Sequence, residues 1–163
     1  MPRPDDELLR RLRESSGLEL DREGRFFHQG TPIEHARTLA VLHAGLHRAE
    51  DGRWATRIGR DWAYVDVEDA ARFVRRIEPR AGVLRGQLAT GEWVEIDPRT
   101  LASGAEDALY VRLPDGERAR LTRPAQVSLL PFLAESGEGF ELRLAKRGFP
   151  IGKDGGSEPV RKT

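Results

Sequence analysis

Four histidines, His28, His35, His43 and His47, fall in one short stretch, and His43 and His47 stand four positions apart. On a helix that spacing can bring two imidazole nitrogens to one metal ion. No carboxylate stands between them in the H-E-x-x-H arrangement, and both flank a leucine stripe where amphipathic edge residues sit. Ordinary boundary histidines are therefore expected, with neither a metal nor another cofactor. A second set, Arg57, Arg60, Asp61 and Trp62, surrounds Gly59. Guanidinium forks beside an indole could hold an anionic nucleotide. The competing reading is a solvated hairpin tip in an arginine-rich chain. A third set is Glu68 and Asp69, whose adjacency on a strand would send them to opposite faces, so they do not share a proton as an acid and base pair would. Asp69 is expected to cap the turn into AARFVRR and Glu68 to pair an arginine, with a direct ligand role as the alternative. The candidate ligand-binding residues are thus Arg57, Arg60, Asp61, Trp62, Glu68 and Asp69.

The elements that must position these residues can be read from periodicity. DDELLRRLRES, from Asp5, carries acids in its first turn and leucines at helical spacing, which predicts an amphipathic helix over residues 1–16. LELD and RFFHQ, joined by REG, predict a hairpin. Next comes IEHARTLAVLHAGLHRAE, where Leu39, Leu42 and Leu46 form one stripe. Thr31 is placed as N-cap, Pro32 as first helical residue and Glu34 at the capping-box position. RWATRIGRDWAYVDVED reads as two strands joined across Ile58-Gly59-Arg60-Asp61, GVLRGQLATGEWVEID as further sheet, and RTLASGAEDA as a connecting loop. Glycine-bearing turns such as REG and PDGE lack both G-x-G-x-x-G and the phosphate-loop pattern, and are turn chemistry.

Composition sets outer limits. Hydrophobic residues make up 38% of the 163 and charged residues 33%, with 27 basic against 27 acidic side chains, so no net field favours bulk nucleic-acid or anionic-membrane binding. The densest basic stretch, Arg72, Arg75, Arg76, Arg80 and Arg85, has acids close by and makes a weak electrostatic footprint. Absence of cysteine removes disulfides, thiolate metal sites and cysteine nucleophiles. The charged N-terminus lacks the apolar core of a secretion signal, and no run approaches the roughly 20 apolar residues of a membrane helix. A soluble cytoplasmic protein is expected.

The spacing of glycine and proline predicts a plan used twice. Gly24 and Gly116 are separated by the same interval as Pro32 and Pro124, and LYVRLPDGERARLTRPAQVSLLPFLAESGEGFELRLAKRG repeats strand, glycine turn, strand, proline, apolar helix, glycine, aromatic strand. Each hairpin with its helix is too small to bury its own apolar face, so two copies would cover one another. The competing explanation is that glycine and proline punctuate any hairpin-to-helix junction. The expected fold class is α+β with two similar hairpin-helix-strand halves. The expected divisions are residues 1–16, 17–75 and 76–152, with a disordered tail over 153–163.

The segment DREGRFFHQGTPIEHARTLAVLHAGLHRAEDGRWATRIGRDWAYVDVEDAARF resembles a bacterial family, the domain of unknown function 1285 family (DUF1285). The likeness is carried by Gly30, Pro32, Ile33, Leu39, Leu46, Asp51, Gly52, Val67, Glu68 and Asp69, and continues more weakly from Leu109 through GFPIG. The resemblance implies a duplicated α+β protein whose second half is superficially like a pleckstrin-homology fold. It also implies a ligand site between the halves and a signalling role, without enzymatic activity. Where family members tend to carry T-P-x-E, this chain has Ile58-Gly59-Arg60-Asp61, which keeps only the acid. The functional expectation is a non-enzymatic ligand-binding or regulatory module for a small anionic, nucleotide-like ligand. The alternative is a protein-interaction adaptor using a sheet edge or the N-terminal helix. A carboxylate hydrolase ranks last, since no spacing demands it.

Overall fold

The computed structural model describes residues 13–137 and 139–155, so most of the expected N-terminal helix and the tail from 156 onward lie outside the described residues. The chain forms two compact units that divide between Ala71 and Arg72. The architecture is mixed α+β, mostly sheet. Among the described residues no helix is long and apolar enough to cross a membrane.

The first unit is a six-stranded sheet carrying one helix. Its elements are β1 (Leu18–Leu20), β2 (Phe26–His28), β3 (Thr31–Pro32), α1 (Ala36–Gly45), β4 (Leu46–Arg48), β5 (Trp54–Ile58) and β6 (Asp61–Val67). The spatial order is β3-β2-β1-β6-β5-β4. All neighbours are antiparallel except β1 and β6, which run parallel with Leu18 beside Val65 and Leu20 beside Val67. Strand periodicity explains the core. Leu18 and Leu20 turn inward while Glu19 faces water, and Phe26, Leu42, Leu46, Ala55 and Val65 complete the buried set. The Thr56 hydroxyl, also buried, donates to the Leu42 carbonyl at 2.9 Å, which ties α1 to β5.

The helix is shorter than its sequence pattern at both ends. Thr31 does not cap it and Pro32 does not begin it. Both extend the sheet as β3, opposite His28 and Phe27, and the Ile33 N–H donates to the Phe26 carbonyl at 2.9 Å. Proline is tolerated there because β3 is an edge strand. The N-cap is His35, whose Nδ1 accepts from the Thr38 N–H at 3.4 Å. At the other end Gly45 comes so close to the Arg57 backbone that a Cβ would collide with it. The chain leaves the helix at that contact, and Leu46 becomes a buried residue of β4. His47 consequently lies on a strand, so the one-turn spacing to His43 is not realised. His43 is buried edge-on against Phe26, with ring centroids 4.7 Å apart. The His47 Nδ1 donates to the Gly45 carbonyl at 2.7 Å.

The second unit contains β7 (Arg72–Arg80), β8 (Val83–Leu88), β9 (Trp93–Ile96), β10 (Ala102–Ser103), β11 (Leu109–Arg112), β12 (Arg118–Leu121), α2 (Arg123–Leu129), β13 (Leu133–Ser136), β14 (Gly139–Leu144), β15 (Arg147–Pro150) and β16 (Gly152–Lys153). One sheet has the order β16-β10-β11-β12-β7-β8-β9, and β13-β14-β15 form a smaller one. Val74, Leu84, Ile96, Leu101, Val111, Leu121, Leu129 and Leu142 make the centre of its core. The segment read as a connecting loop between β9 and β11 contains β10 and two short 3₁₀ turns. Lys153 and Asp154, assigned from sequence to the tail, belong to this unit. Lys153 pairs in β16, and Asp154 accepts two hydrogen bonds from the Arg118 guanidinium at 3.0 and 2.7 Å.

Both candidate repeats run from a hairpin through a helix to an antiparallel meander, β4-β5-β6 in one and β13-β14-β15 in the other, but the first inserts β3 before its helix and the second a 3₁₀ turn, Leu130–Phe132, after it. Gly24 and Gly116 hold matching left-handed turns at φ 84° and 87°. The two prolines do not match, since Pro32 sits on an edge strand and Pro124 in the first turn of α2. Hydrogen bonding also differs. The first hairpin joins its own meander through β1 and β6, whereas the second joins β7 through β12.

Candidate functional site

Strand register on β4, β5 and β6 decides which side chains gather. His47 is opposite Ala55, Ala55 opposite Tyr64, and Arg57 opposite Trp62. Alternation therefore puts His47, Arg57, Trp62 and Tyr64 on one face, and turns Leu46, Thr56 and Val65 to the other, where they are buried. Gly59 has φ 62° and Arg60 stays at negative φ, the signature of a two-residue type II′ hairpin loop. This turn holds Arg57 and Trp62 side by side one step back from the tip.

The face forms a depression of about 440 Å³, lined by His47, Ala49, Glu50, Asp51, Arg57, Trp62 and Tyr64. Its aromatic wall is braced. Trp62 and Tyr64 meet edge to face with centroids 5.0 Å apart, the Arg13 guanidinium lies 4.4 Å above the Trp62 ring, and that of Arg53 lies 3.5 Å above Tyr64. Ser16 donates its hydroxyl to the Tyr64 carbonyl at 2.6 Å. The Tyr64 phenol donates to Asp51 Oδ2 at 2.8 Å, and Asp51 also accepts from the Arg53 backbone N–H at 3.1 Å and its Nε at 2.8 Å. Arg57 differs from these neighbours, having no hydrogen-bond or ion-pair partner among the described residues. Arg57 is exposed and lines the same depression as the two rings.

The charge states of the trio follow from these contacts. The Tyr64 phenol, followed by Arg53, holds the Asp51 carboxyl below the usual carboxylate range. Burial, and then the bond to Asp51, pushes the Tyr64 phenol up. A raised phenol favours the neutral donor, so its contribution is complete below the ordinary tyrosine value of about 10 and lost as pH rises through the higher folded value. For Asp51 the sign reverses: the contribution is present above the ordinary carboxylate range and lost as pH falls through the lowered value. In an ultraviolet pH titration Tyr64 is therefore expected to ionise later than free tyrosine. Tyr64→Phe should remove one tyrosine's share of the late absorbance change, and a late phase of unchanged amplitude in the variant would refute the assignment.

The other residues singled out from sequence lie elsewhere. Arg60 is at the hairpin tip and Asp61 begins β6, both exposed and outside the lining. Glu68 pairs Arg22, accepting from its N–H at 3.0 Å and its Nε at 3.1 Å. With Glu19, Asp21 and Asp66 it borders a separate acidic depression of about 500 Å³. Asp69 follows in the bend before β7, half-buried. The structure thus joins Arg57 and Trp62 and separates them from Glu68. Tyr64, Asp51, His47 and Arg13 were not in the sequence-derived ligand set. The signal for Tyr64 was present in the Trp62-x-Tyr64 alternation, whereas Asp51 and Arg13 are brought in by tertiary contacts. Among the described residues no group of three or more histidine, aspartate or glutamate side chains could hold a metal ion.

The chain matches no protein-family model and no curated protein. Its fold does have solved counterparts. A DUF1285 family protein from Silicibacter pomeroyi is similar with a TM-score of 0.64 and 21% identity, over 86% of this chain and 81% of that one. A second DUF1285 family protein, from Shewanella baltica, is similar with a TM-score of 0.54 and 18% identity, over 71% of this chain and 91% of that one. At these identities the likeness concerns the fold, and both counterparts carry the family designation that the sequence resemblance named.

Proposed function

We propose that this chain is a non-enzymatic ligand-binding module of regulatory character, and that the depression on β4, β5 and β6 takes a small anionic, nucleotide-like ligand. The observation that carries the reading is Arg57, an unpaired guanidinium one cross-strand step from the Trp62 ring. A guanidinium fork matches a phosphate or carboxylate, and aromatic faces accept a planar base. The volume of about 440 Å³ falls within the range of small-molecule sites. Asp51, fixed by Tyr64 and Arg53, offers an acceptor for a base or sugar donor. In the same reading the two hairpin-helix-meander runs are copies of one plan, supported by their shared element order and the matching turns at Gly24 and Gly116. A pleckstrin-homology likeness of the second half, a signalling context and a bacterial setting follow from the family resemblance, and a cytoplasmic setting from the charged N-terminal sequence without a secretion signal's apolar core.

The test is a thermal-shift screen against mononucleotides, cyclic nucleotides and phosphosugars. A ligand bound only by the native state adds about 2.7 kcal/mol when its concentration is a hundred times Kd. One nucleotide class is expected to raise Tm. The double variant Arg57→Gln, Trp62→Leu should lose the shift while keeping the melting curve of the free protein, and Arg60→Gln should retain it. A shift that survives the double variant, or no shift in the wild type, would overturn the proposal.

The adaptor reading draws on a different observation. Val127 and Leu130, one helical turn apart at the end of α2, are 62% and 59% exposed. A protein partner whose binding fails in Val127→Asp, Leu130→Asp and persists in the Arg57 and Trp62 double variant would favour it.

A further inference from the structure

A groove of about 750 Å³, larger than the two depressions described above, lies wholly within the second unit, far along the chain from Arg57. Four chain segments build it: the β7–β8 turn, the end of β9 with its following 3₁₀ turn, the β11–β12 turn, and β15. Its floor is the open end of the core, where Leu84, Ile96, Leu113 and Phe149 reach the surface only at their edges. Above the floor the wall is mixed, with apolar and charged residues interleaved. Val83 is 39% exposed on one side, and Pro98 and Pro114 add ring faces from two of the turns.

The charged residues at the rim are not equivalent. Arg99 is chelated by Asp97, with Nε and Nη2 contacts of 2.8 to 3.2 Å, and each partner's pKa is displaced toward the charged form by the other. That pair neutralises itself. Arg112 is turned onto its own hairpin, donating to the Gly116 carbonyl at 3.2 Å, and meets no carboxylate among the described residues. Arg147 lies over the Phe149 ring at 5.1 Å and likewise has no carboxylate partner there. The contrast within one hairpin is informative, since Arg143 on β14 is paired with Glu141 at 2.7 Å while Arg147 at the groove is not. Two guanidinium groups without a carboxylate partner among the described residues therefore line one groove, with Glu95 on the same rim.

We infer that this groove is a second binding site, for an amphipathic organic anion whose apolar body lies along Val83, Pro98 and Pro114 and whose acidic head is held by Arg112 and Arg147. The head can be a carboxylate, sulfonate or phosphate, because the recognising groups are guanidinium forks. The body is required, because an exposed arginine pair in water gains little from a bare anion. This site is independent of the depression on β4, β5 and β6.

Anilinonaphthalene sulfonate, an aromatic monoanion, is the probe. It is expected to bind the native protein saturably, to be displaced by decanoate, and to resist displacement by inorganic phosphate. Arg112→Gln, Arg147→Gln should weaken binding at least tenfold with the melting curve retained. The single reversal Arg147→Glu should do the same should Arg112 prove needed for its turn. Arg57→Gln, Trp62→Leu should leave the probe's affinity unchanged, so loss of the first site and loss of this one are told apart. Absence of saturable binding, binding that survives the Arg112 and Arg147 changes, or displacement by phosphate as effective as by decanoate would each overturn the inference.

Discussion

Asp154→Ala is expected to lower the stability of the second unit by about 3 kcal/mol, read as a fall in its urea midpoint at unchanged m-value. The carboxylate and the Arg118 guanidinium are each 10% exposed at the side chain, and the pair is bidentate at 3.0 and 2.7 Å. Desolvation makes such a pair asymmetric. Forming it gains little over an apolar pair, but removing one partner takes a bidentate counter-charge from a largely buried ion. Arg118 has a further commitment, since its guanidinium stacks 3.9 Å above Tyr110 and so is not free to swing into water. The double variant Arg118→Met, Asp154→Leu should consequently cost less than Asp154→Ala alone. A loss under about 0.5 kcal/mol in the single variant, typical of an exposed ion pair, would show that the pair is solvated and the reasoning wrong.

Gly45→Ala should be nearly as damaging, by about 2 to 3 kcal/mol, and for a steric reason. Gly45 is outside the left-handed region, so its conformation does not demand glycine. What demands it is the Arg57 backbone, whose oxygen and nitrogen a Cβ would strike. Neither side can yield easily. Arg57 is locked opposite Trp62, and Thr56 is paired with Leu46 while its hydroxyl holds Leu42. The strain should be visible as weaker ligand binding as well as a lower Tm, because the backbone being pushed carries the Arg57 side chain. Gly30→Ala is the comparison. It has open space within 4 Å but φ 80°, so only backbone conformation opposes it, at about 1 kcal/mol. Equal losses at the two positions would refute the steric account.

These two sites also show where sequence reading succeeded and where it stopped. The hairpin across Ile58 to Asp61 was legible because its cause is local: a glycine at the first turn position and aromatic alternation on the strand that follows. The helix ends were not legible. Thr31, Pro32 and Glu34 compose a valid capping signal, yet Pro32 gains more by pairing opposite Phe27 at the sheet edge. Leu46 and His47 continue the helical stripe, yet the contact between Gly45 and β5 ends the helix first. The ligand set divides in the same way. Arg57 and Trp62 fall together because strand register links them, whereas Glu68 is drawn to Arg22 by a hairpin turn far from it in sequence. No local pattern contains that information.

The parallel pairing of β1 with β6 carries an implication for synthesis. Strand β1 emerges early and finds β2 at once, but the partner on its other side, Val65 to Val67, is made only after the whole helix and meander. Until then the nascent first unit displays an open strand edge flanked by Leu18 and Leu20, which are buried once folding is complete. Closing a parallel pair over so long a loop is slow compared with forming the hairpins on either side. The birth order of the strands therefore leaves this chain a window in which β1 is made but covered on one side only, and in which a holding chaperone would have the most to cover.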